Sequence, residues 1–390
     1  MPKLTIKNFG PIKSASLNFK RVNVFVGPQS SGKSTILKIA CFCSWLEKKI
    51  QQSQVPNDWC NPEVVRNQLI SFHKLDGYSS EDSEISFKSD SLQFDIRFIK
   101  NNLIETHFEW TKKRWNYKRS KIAYIPAERN IVAAIPNWLD INFDKNDNVR
   151  NYMADWDVAR KKYDNRHVLD ILDMGISYFY EATNKSDRIS LNGKTLKFSN
   201  TSSGLQSLVP QYTLLSYLFD ISLFTEPTSV RTDQNNSILK EKIERSPELK
   251  KLNILDNYLR NNGVKVFLEE PEQNLFPKAQ YELVKWIAKK MNGNSCNTLF
   301  VSTHSPYILS SINNLIQAYD SAAKGIEARR QVEKVVRQKD FFNFDDLCVY
   351  GVNKGRVRNL LDNENRLIAQ SFLDSTSLDI ANEFSQLLDI

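Results

Sequence analysis

Apolar residues recur at short spacing over Lys3–Phe9 and again over residues 15–19, and a compact apolar run, Val22, Val24, Phe25 and Val26, follows. This spacing predicts three β-strands, and two β-rich segments ahead of the first helix imply a mixed sheet rather than a parallel one. From Thr35 to about Ile50 the period becomes helical, with Ile36, Leu37, Ile39 and Ala40 at its start. Residues 51–80 are polar and irregular. Further strands are expected over residues 92–98, 103–110 and 115–125, with Asn101-Asn102 as a turn between the first two. Residues 136–183 read as mainly helical, because Val168, Leu169, Ile171, Leu172, Ile176 and Phe179 fall at helical spacing. Asn192-Gly193 marks a hairpin between residues 189–191 and 195–198. A loop is expected over residues 226–237, then a Lys/Glu-rich helix to about Asn261, and strands over residues 264–268 and 299–301. No repeat and no heptad run long enough for an extended coiled coil is visible.

The chain has 390 residues, 41% hydrophobic and 25% charged, enough to bury one large core or two modest ones. No apolar run approaches the roughly 20 residues that span a bilayer, and Met-Pro-Lys-Leu-Thr-Ile lacks the apolar core of a signal peptide. A cytoplasmic protein without membrane contact is therefore expected. Five cysteines (Cys41, Cys43, Cys60, Cys296 and Cys348) lack zinc-type spacing and read as reduced thiols. Fifty-three Lys plus Arg against 45 Asp plus Glu give a net charge of +8, which suits nucleic-acid binding and plain solubility equally.

The candidate chemistry begins at residues 27–34, Gly27-Pro28-Gln29-Ser30-Ser31-Gly32-Lys33-Ser34, between a predicted strand and a predicted helix. That is the setting of a phosphate-binding loop. Glycines let the backbone turn around an anion, N–H groups and the helix N-terminus face the phosphates, Lys33 reaches the β and γ oxygens, and Ser34 offers a hydroxyl to Mg²⁺.

A second cluster lies downstream. The strand through Val264, Val266, Phe267 and Leu268 ends at Glu269-Glu270-Pro271-Glu272. Acids at the carboxyl end of a buried strand are where a nucleotide-binding sheet needs them: Glu269 is assigned to the metal side and Glu270 to the attacking water. The strand over residues 299–301 runs into Ser302-Thr303-His304-Ser305-Pro306, which makes His304 a candidate γ-phosphate sensor.

Together, Ile6-Lys7-Asn8-Phe9-Gly10-Pro11, the loop from Gly27 to Thr35, Ser202-Ser203-Gly204-Leu205-Gln206, the run from Glu269 to Pro277 and Thr303-His304-Ser305-Pro306 resemble the RecF/SMC/OLD branch of ABC-type ATPases. The resemblance implies an α/β fold: a P-loop ATPase head with a mixed central sheet, an antiparallel β subdomain and a helical insertion. On that reading residues 1–135 form an N-terminal ATPase lobe, 136–190 the insertion, 191–355 a C-terminal lobe and 356–390 a tail. It implies ATP and Mg²⁺ as ligands and a homodimer or higher homo-oligomer in which Ser202, Ser203, Gly204 and Gln206 face the γ-phosphate of the other subunit. Two features depart from the family: Leu205 replaces a second glycine, and Glu269 stands where Asp is commoner. No Gln-bearing loop is obvious; its positional counterpart is Tyr124-Ile125-Pro126-Ala127-Glu128-Arg129-Asn130. There Glu128 or Asn130 is open to a contact with the metal shell, and Arg129 to a role on phosphate, at the facing subunit or in the structure.

The residues after His304, with Asp345, Asp346, Asp362 and Glu364 among them, are too few for the Toprim nuclease domain of OLD proteins, so no nuclease site is expected in this chain. A stand-alone head of this kind resembles the ATPase components of bacterial anti-phage systems such as PARIS and Septu, where a separate nuclease or toxin is the effector. It also resembles RecF-like repair ATPases that bind DNA. A nucleotide-locked scaffold is the third reading, favoured by Leu205 and opposed by Lys33 and Glu270. Three basic runs are open to nucleic-acid contact, protein docking or plain solvation: Lys112, Lys113, Arg114, Lys118 and Arg119, at an expected hairpin tip with Trp115 and Tyr117; Arg160, Lys161, Lys162 and Arg166; and Arg329, Arg330, Lys334, Arg337 and Lys339.

Overall fold

In a computed structural model the described residues are 1–100, 103–135, 146–221, 237, 239–241, 243–245, 254–369 and 375–388. The Asn101-Asn102 turn, the loop at 226–236 and, within the expected Lys/Glu-rich helix, residues 238, 242 and 246–253 lie outside them.

Strands β1 (Lys3–Phe9), β2 (Ile12–Asn18) and β3 (Val22–Val26) lead into helix α1 (Lys33–Ser53). Then come β4 (Ser79–Lys88), β5 (Leu92–Ile99), β6 (Leu103–Trp110) and β7 (Ser120–Ile125), followed by helix α2 (Asn148–Arg160). A second group comprises β8 (Leu169–Asp170), β9 (Ile176–Glu181), β10 (Ser186–Leu191) and β11 (Lys194–Lys197), before helix α3 (Ser203–Ile221). The rest runs β12 (Gly263–Glu269), α4 (Pro277–Asn292), β13 (Thr298–Thr303), α5 (Pro306–Ala322), α6 (Ile326–Glu333), β14 (Leu347–Asn353), β15 (Arg356–Asn359) and α7 (Ser375–Leu388). No described helix is long and apolar enough to cross a membrane.

Eleven strands form one mixed sheet in the order β6-β5-β4-β1-β2-β15-β14-β3-β13-β12-β7. The half from β14 to β7 is parallel, and the half from β6 to β2 antiparallel. Each face of the parallel half is apolar because both are covered. Val22, Val24, Val266, Leu268 and Val301 face a core shared with α2, α3, α4 and α5. Phe25, Phe267, Phe300 and Tyr124 face the core built on α1. All the carboxyl ends of these parallel strands therefore meet at one rim, where the chemistry gathers.

Three expectations change. Residues 168–183 are not helical: Ile176, Tyr178 and Tyr180 are the buried side chains of strand β9, the first two in the core, a period of two that the neighbouring Ile171, Leu172 and Phe179 obscured. Among the described residues, 148–197 hold helix α2 and a four-stranded antiparallel sheet, joined by Arg160 of α2, which pairs with Asp187 of β10 at 2.9 Å. Strand β4 went unread because only Ser83, Ile85 and Phe87 of its Ser-Ser-Glu-Asp-Ser-Glu-Ile-Ser-Phe-Lys point inward. Residues 112–119 are not a hairpin tip, since β6 and β7 lie on opposite edges of the sheet and this segment is the crossover between them. The Asn192-Gly193 hairpin is present, with φ of 50° and 74°, the left-handed pair that a two-residue turn requires.

Candidate nucleotide site

Residues 27–32 connect β3 to α1, and their glycines are there for room. A Cβ on Gly27 would sit 2.1 Å from the carbonyl oxygen of Val352, and one on Gly32, whose φ is +105°, 2.3 Å from Ile12 Cδ1. No side chain caps α1 and no acid lies in its first turn, so the positive end of this 21-residue helix has no neutralising group of its own. Pro28, Gln29 and Ser30 are exposed at the mouth, Ser31, Lys33 and Thr35 are buried, and Ser34 is half-buried.

Lys33 lies folded across its own loop. Its Nζ donates to the carbonyls of Gly27 (2.9 Å) and Pro28 (2.8 Å), and lies 3.3 Å from His304 Nδ1. An ammonium only donates, so Nδ1 is the acceptor and the His304 proton sits on Nε2. That nitrogen lies 3.1 Å from Glu270 Oε1. Three side chains from three segments thus form one line, with Lys33 donating to His304 and His304 donating to Glu270. Burial lowers the Lys33 ammonium to about 8, against the pull of Glu270, Glu272 and Glu269.

Glu270 is held in an unusual backbone state, φ +45°. Its N–H donates to Ser302 O (2.8 Å) and its carbonyl accepts from Gln273 N (3.0 Å), which fixes the turn and aims the carboxylate at His304. Glu272, given no role by the sequence, accepts from Thr303 Oγ1 (2.8 Å) and from the N–H of His304 (2.6 Å), seating the histidine at the end of β13. The signal was the third acid of Glu-Glu-Pro-Glu, two residues past the candidate base.

Glu269 is buried; Tyr124 OH donates to it at 2.5 Å and Ala127 N–H at 3.2 Å. Burial, and then the charge of Glu269, push the Tyr124 phenol well above its ordinary value, so it stays a donor. A carboxylate has about four lone-pair sites, and these bonds use two. No three His, Cys, Asp or Glu cluster as a metal cage among the described residues. Mg²⁺ in phosphate sites keeps waters and phosphate oxygens and takes one or two protein ligands, so the half-buried Ser34 hydroxyl and the free lone pairs of Glu269 are donor types that fit it.

Arg129 is a correction. It is fully buried, and its guanidinium donates to the carbonyls of Ser207 (3.1 Å), Pro126 (3.3 Å), Glu269 (2.8 Å) and Glu270 (2.6 Å). With its donors directed at carbonyls inside the core, it is not placed to bind phosphate or a facing subunit.

Ser202 and Ser203 are exposed at the start of α3, and Gly204 and Gln206 are half-buried. Gln206 Nε2 donates to the carbonyls of Ser199 and Thr201, both at 3.0 Å, so in this chain it shapes the loop. A Cβ on Gly204 would lie 3.0 Å from Asn274 O, which explains why glycine stands there independently of any ligand. In sheet order the acids of β12 lie between the phosphate loop after β3 and the segment after β7 on which α3 packs.

Three arginines of the first two basic runs are taken up by the fold, while Lys112, Lys113, Lys118, Lys161, Lys162 and Arg166 are exposed. Arg114 stacks 3.7 Å from the Trp110 ring, Arg119 is buried and donates to Leu259 O (3.1 Å), and Arg160 is buried in its ion pairs. From the third run, Arg337 and Lys339 join Lys289 and Arg21 around an open cavity of about 990 Å³. It lies where β3 and β14 begin, at the opposite end of the sheet from the phosphate loop.

Residues 164–309 match the family model described as an AAA ATPase domain. The span holds the acids, His304 and residues 202–206, and leaves the phosphate loop outside. No curated protein matches the chain. Among solved structures, the SMC head domain from Thermotoga maritima is similar at 12% identity, covering 92% of this chain and 97% of that one with a TM-score of 0.41. RecF, the recombination mediator protein of the RecFOR pathway, is similar at 12% identity over 92% and 97% (TM-score 0.32), and the ATP-binding cassette of an ABC transporter at 11% over 97% and 96% (TM-score 0.35). The matched segment is thus similar to an AAA ATPase domain, and the fold around it is α/β with a mixed central sheet.

Proposed function

We propose that this chain binds and hydrolyses ATP with Mg²⁺, closes as a homodimer around it, and serves in the bacterial cytoplasm as the sensor of an anti-phage system that controls a separate nuclease or toxin. The observation that carries the ATPase reading is the line from Lys33 through His304 to Glu270. A bound γ-phosphate takes Lys33 from the loop carbonyls and from His304 Nδ1; Glu270, oriented by the N–H that His304 Nε2 donates to it, then accepts a proton from water. Mg²⁺, when bound, would supply positive charge to the phosphates, and Ser34 and Glu269 are the residues that would hold it; the uncapped end of α1 would face the β-phosphate.

Closure is supported by the rim. Phe276 and Tyr307, at the starts of α4 and α5, are 77% and 53% exposed, flank the acid turn and His304, and are large apolar groups left for a second surface. The defence role rests on the motif resemblance.

Lys33→Ala is expected to abolish hydrolysis and weaken ATP binding, because the cation facing the β and γ phosphates is lost. Phosphate release by the purified chain checks this, and turnover equal to wild type would sink the assignment. In cells, the same substitution is expected to remove protection in a phage plaque assay with the neighbouring reading frame present. Affinity is also expected to depend on pH. Below about 8 Lys33 is protonated and binding is level; above it the free protein loses that cation, so ATP affinity falls by about tenfold between pH 7 and 9. Titration calorimetry over that range reads it, and a flat profile counts against Lys33 as the phosphate contact.

A RecF-like role on DNA is the second reading, favoured by Lys289 and Lys339 on a cavity where Arg21 and Arg337 are already paired with Asp346 and Asp340. Mutual repulsion with Lys339, Lys290 and Arg337, after burial, lowers the Lys289 ammonium, a cost that DNA phosphates would relieve. If DNA binds there, Lys289→Glu with Lys339→Glu weakens a labelled duplex and flattens its salt dependence by about two units of slope. No loss leaves the defence reading alone.

A further inference from the structure

Resting on the ATPase reading above, we propose that Arg129 is a positioning residue that couples the seat of helix α3, and with it residues 202–206, to the orientation of the Glu270 carboxylate. Arg129 follows β7 in a tight turn, and its backbone is fastened by Tyr152 OH, which donates to Arg129 O at 3.1 Å. Among the described residues no carboxylate lies within ion-pair distance of it. A buried guanidinium without an anion is costly, and this one is stabilised by carbonyl dipoles drawn from three separate segments.

Those carbonyls identify the role. Two belong to Glu269 and Glu270, the peptides that set the left-handed turn on which the Glu270 carboxylate depends. A third belongs to Ser207, in the first turn and a half of α3. One rigid, planar group therefore spans the helix carrying the proposed trans contacts and the backbone carrying the proposed base. Two more bonds bridge the same elements: Gln211 Nε2 donates to Pro271 O (3.0 Å) and Asn274 Nδ2 to Ser207 Oγ (2.9 Å). When α3 shifts against a partner subunit, the Glu270 turn has to move with it or break these bonds, so closure and alignment of the base share one structural equilibrium.

Lysine at position 129 keeps the charge but cannot reach carbonyls on three sides at once. Arg129→Lys is therefore expected to lower kcat by about 10- to 100-fold with KM for ATP within about threefold, since Lys33 and its loop are untouched. Peptide-resolved hydrogen exchange on the full-length protein without nucleotide is expected to show residues 203–211 and 269–275 exchanging faster together. An unchanged kcat, or faster exchange confined to residues 127–134, overturns the coupling. If Arg129→Lys does not fold, Gln211→Ala carries the exchange test: acceleration at both ends of the bridge supports the proposal, and acceleration within α3 alone overturns it. A wild-type chain that hydrolyses no ATP refutes the function proposed above, and the exchange measurement still decides the coupling.

Discussion

Glu270→Gln is expected to keep ATP bound while hydrolysis falls by about 10²–10⁴-fold, the usual contribution of a positioned general base. The amide is nearly the size of the carboxylate, and its oxygen still accepts from His304 Nε2, now 3.1 Å from Glu270 Oε1. What disappears is the capacity to take a proton from water. The backbone need not change, because the turn at φ +45° is held by Ser302 O, Gln273 N and Arg129, none of which touches the side chain. Nucleotide is then trapped, and if closure follows binding, the variant accumulates as an ATP-dependent dimer. Light scattering with and without ATP·Mg²⁺ reads the association, and phosphate release reads the rate. Normal turnover removes Glu270 as the base; lost turnover without added association retains the base and removes the switch.

The loop at 27–34 was legible in the sequence because its demands fall on the backbone, and only certain residues meet them: glycines where a Cβ would collide, and a lysine that folds back on the turn. The acids and His304 were legible because the ends of parallel strands gather at one rim. Arg129 was not, and for a physical reason. Its partners are carbonyls, which every residue carries, so nothing in the string of side chains marks where its donors go. Strand β4 and residues 168–183 failed differently. In β4 exposed polar residues, and in 168–183 apolar neighbours such as Ile171 and Leu172, overlaid the inward period of two, which pairing with β1 and β10 selects.

The trans arrangement is testable by mixing two inactive chains. The first is Lys33→Ala. For the second, Gly204→Asp is a poor choice, since its Cβ alone would lie 3.0 Å from Asn274 O and the fold would shift for reasons unrelated to phosphate. Ser203→Asp is better: Ser203 is exposed at the start of α3, where a carboxylate suits the helix dipole and the fold, while its charge repels a γ-phosphate brought in by a second subunit. Each variant alone is expected to hydrolyse little ATP, because every composite site in its dimer carries the defect. In a mixed dimer, one site joins the intact Lys33 of the Ser203→Asp chain to the intact residues 202–206 of the Lys33→Ala chain. Half of an equal mixture forms such dimers by random pairing, each with one good site, so about a quarter of the wild-type rate is expected if the two sites act independently. Differential tags and native mass measurement establish that the mixed dimer forms. If it forms with ATP and no rate returns, the sites are coupled and both must be intact; if Ser203→Asp alone hydrolyses normally, residues 202–206 are only the turn that opens α3.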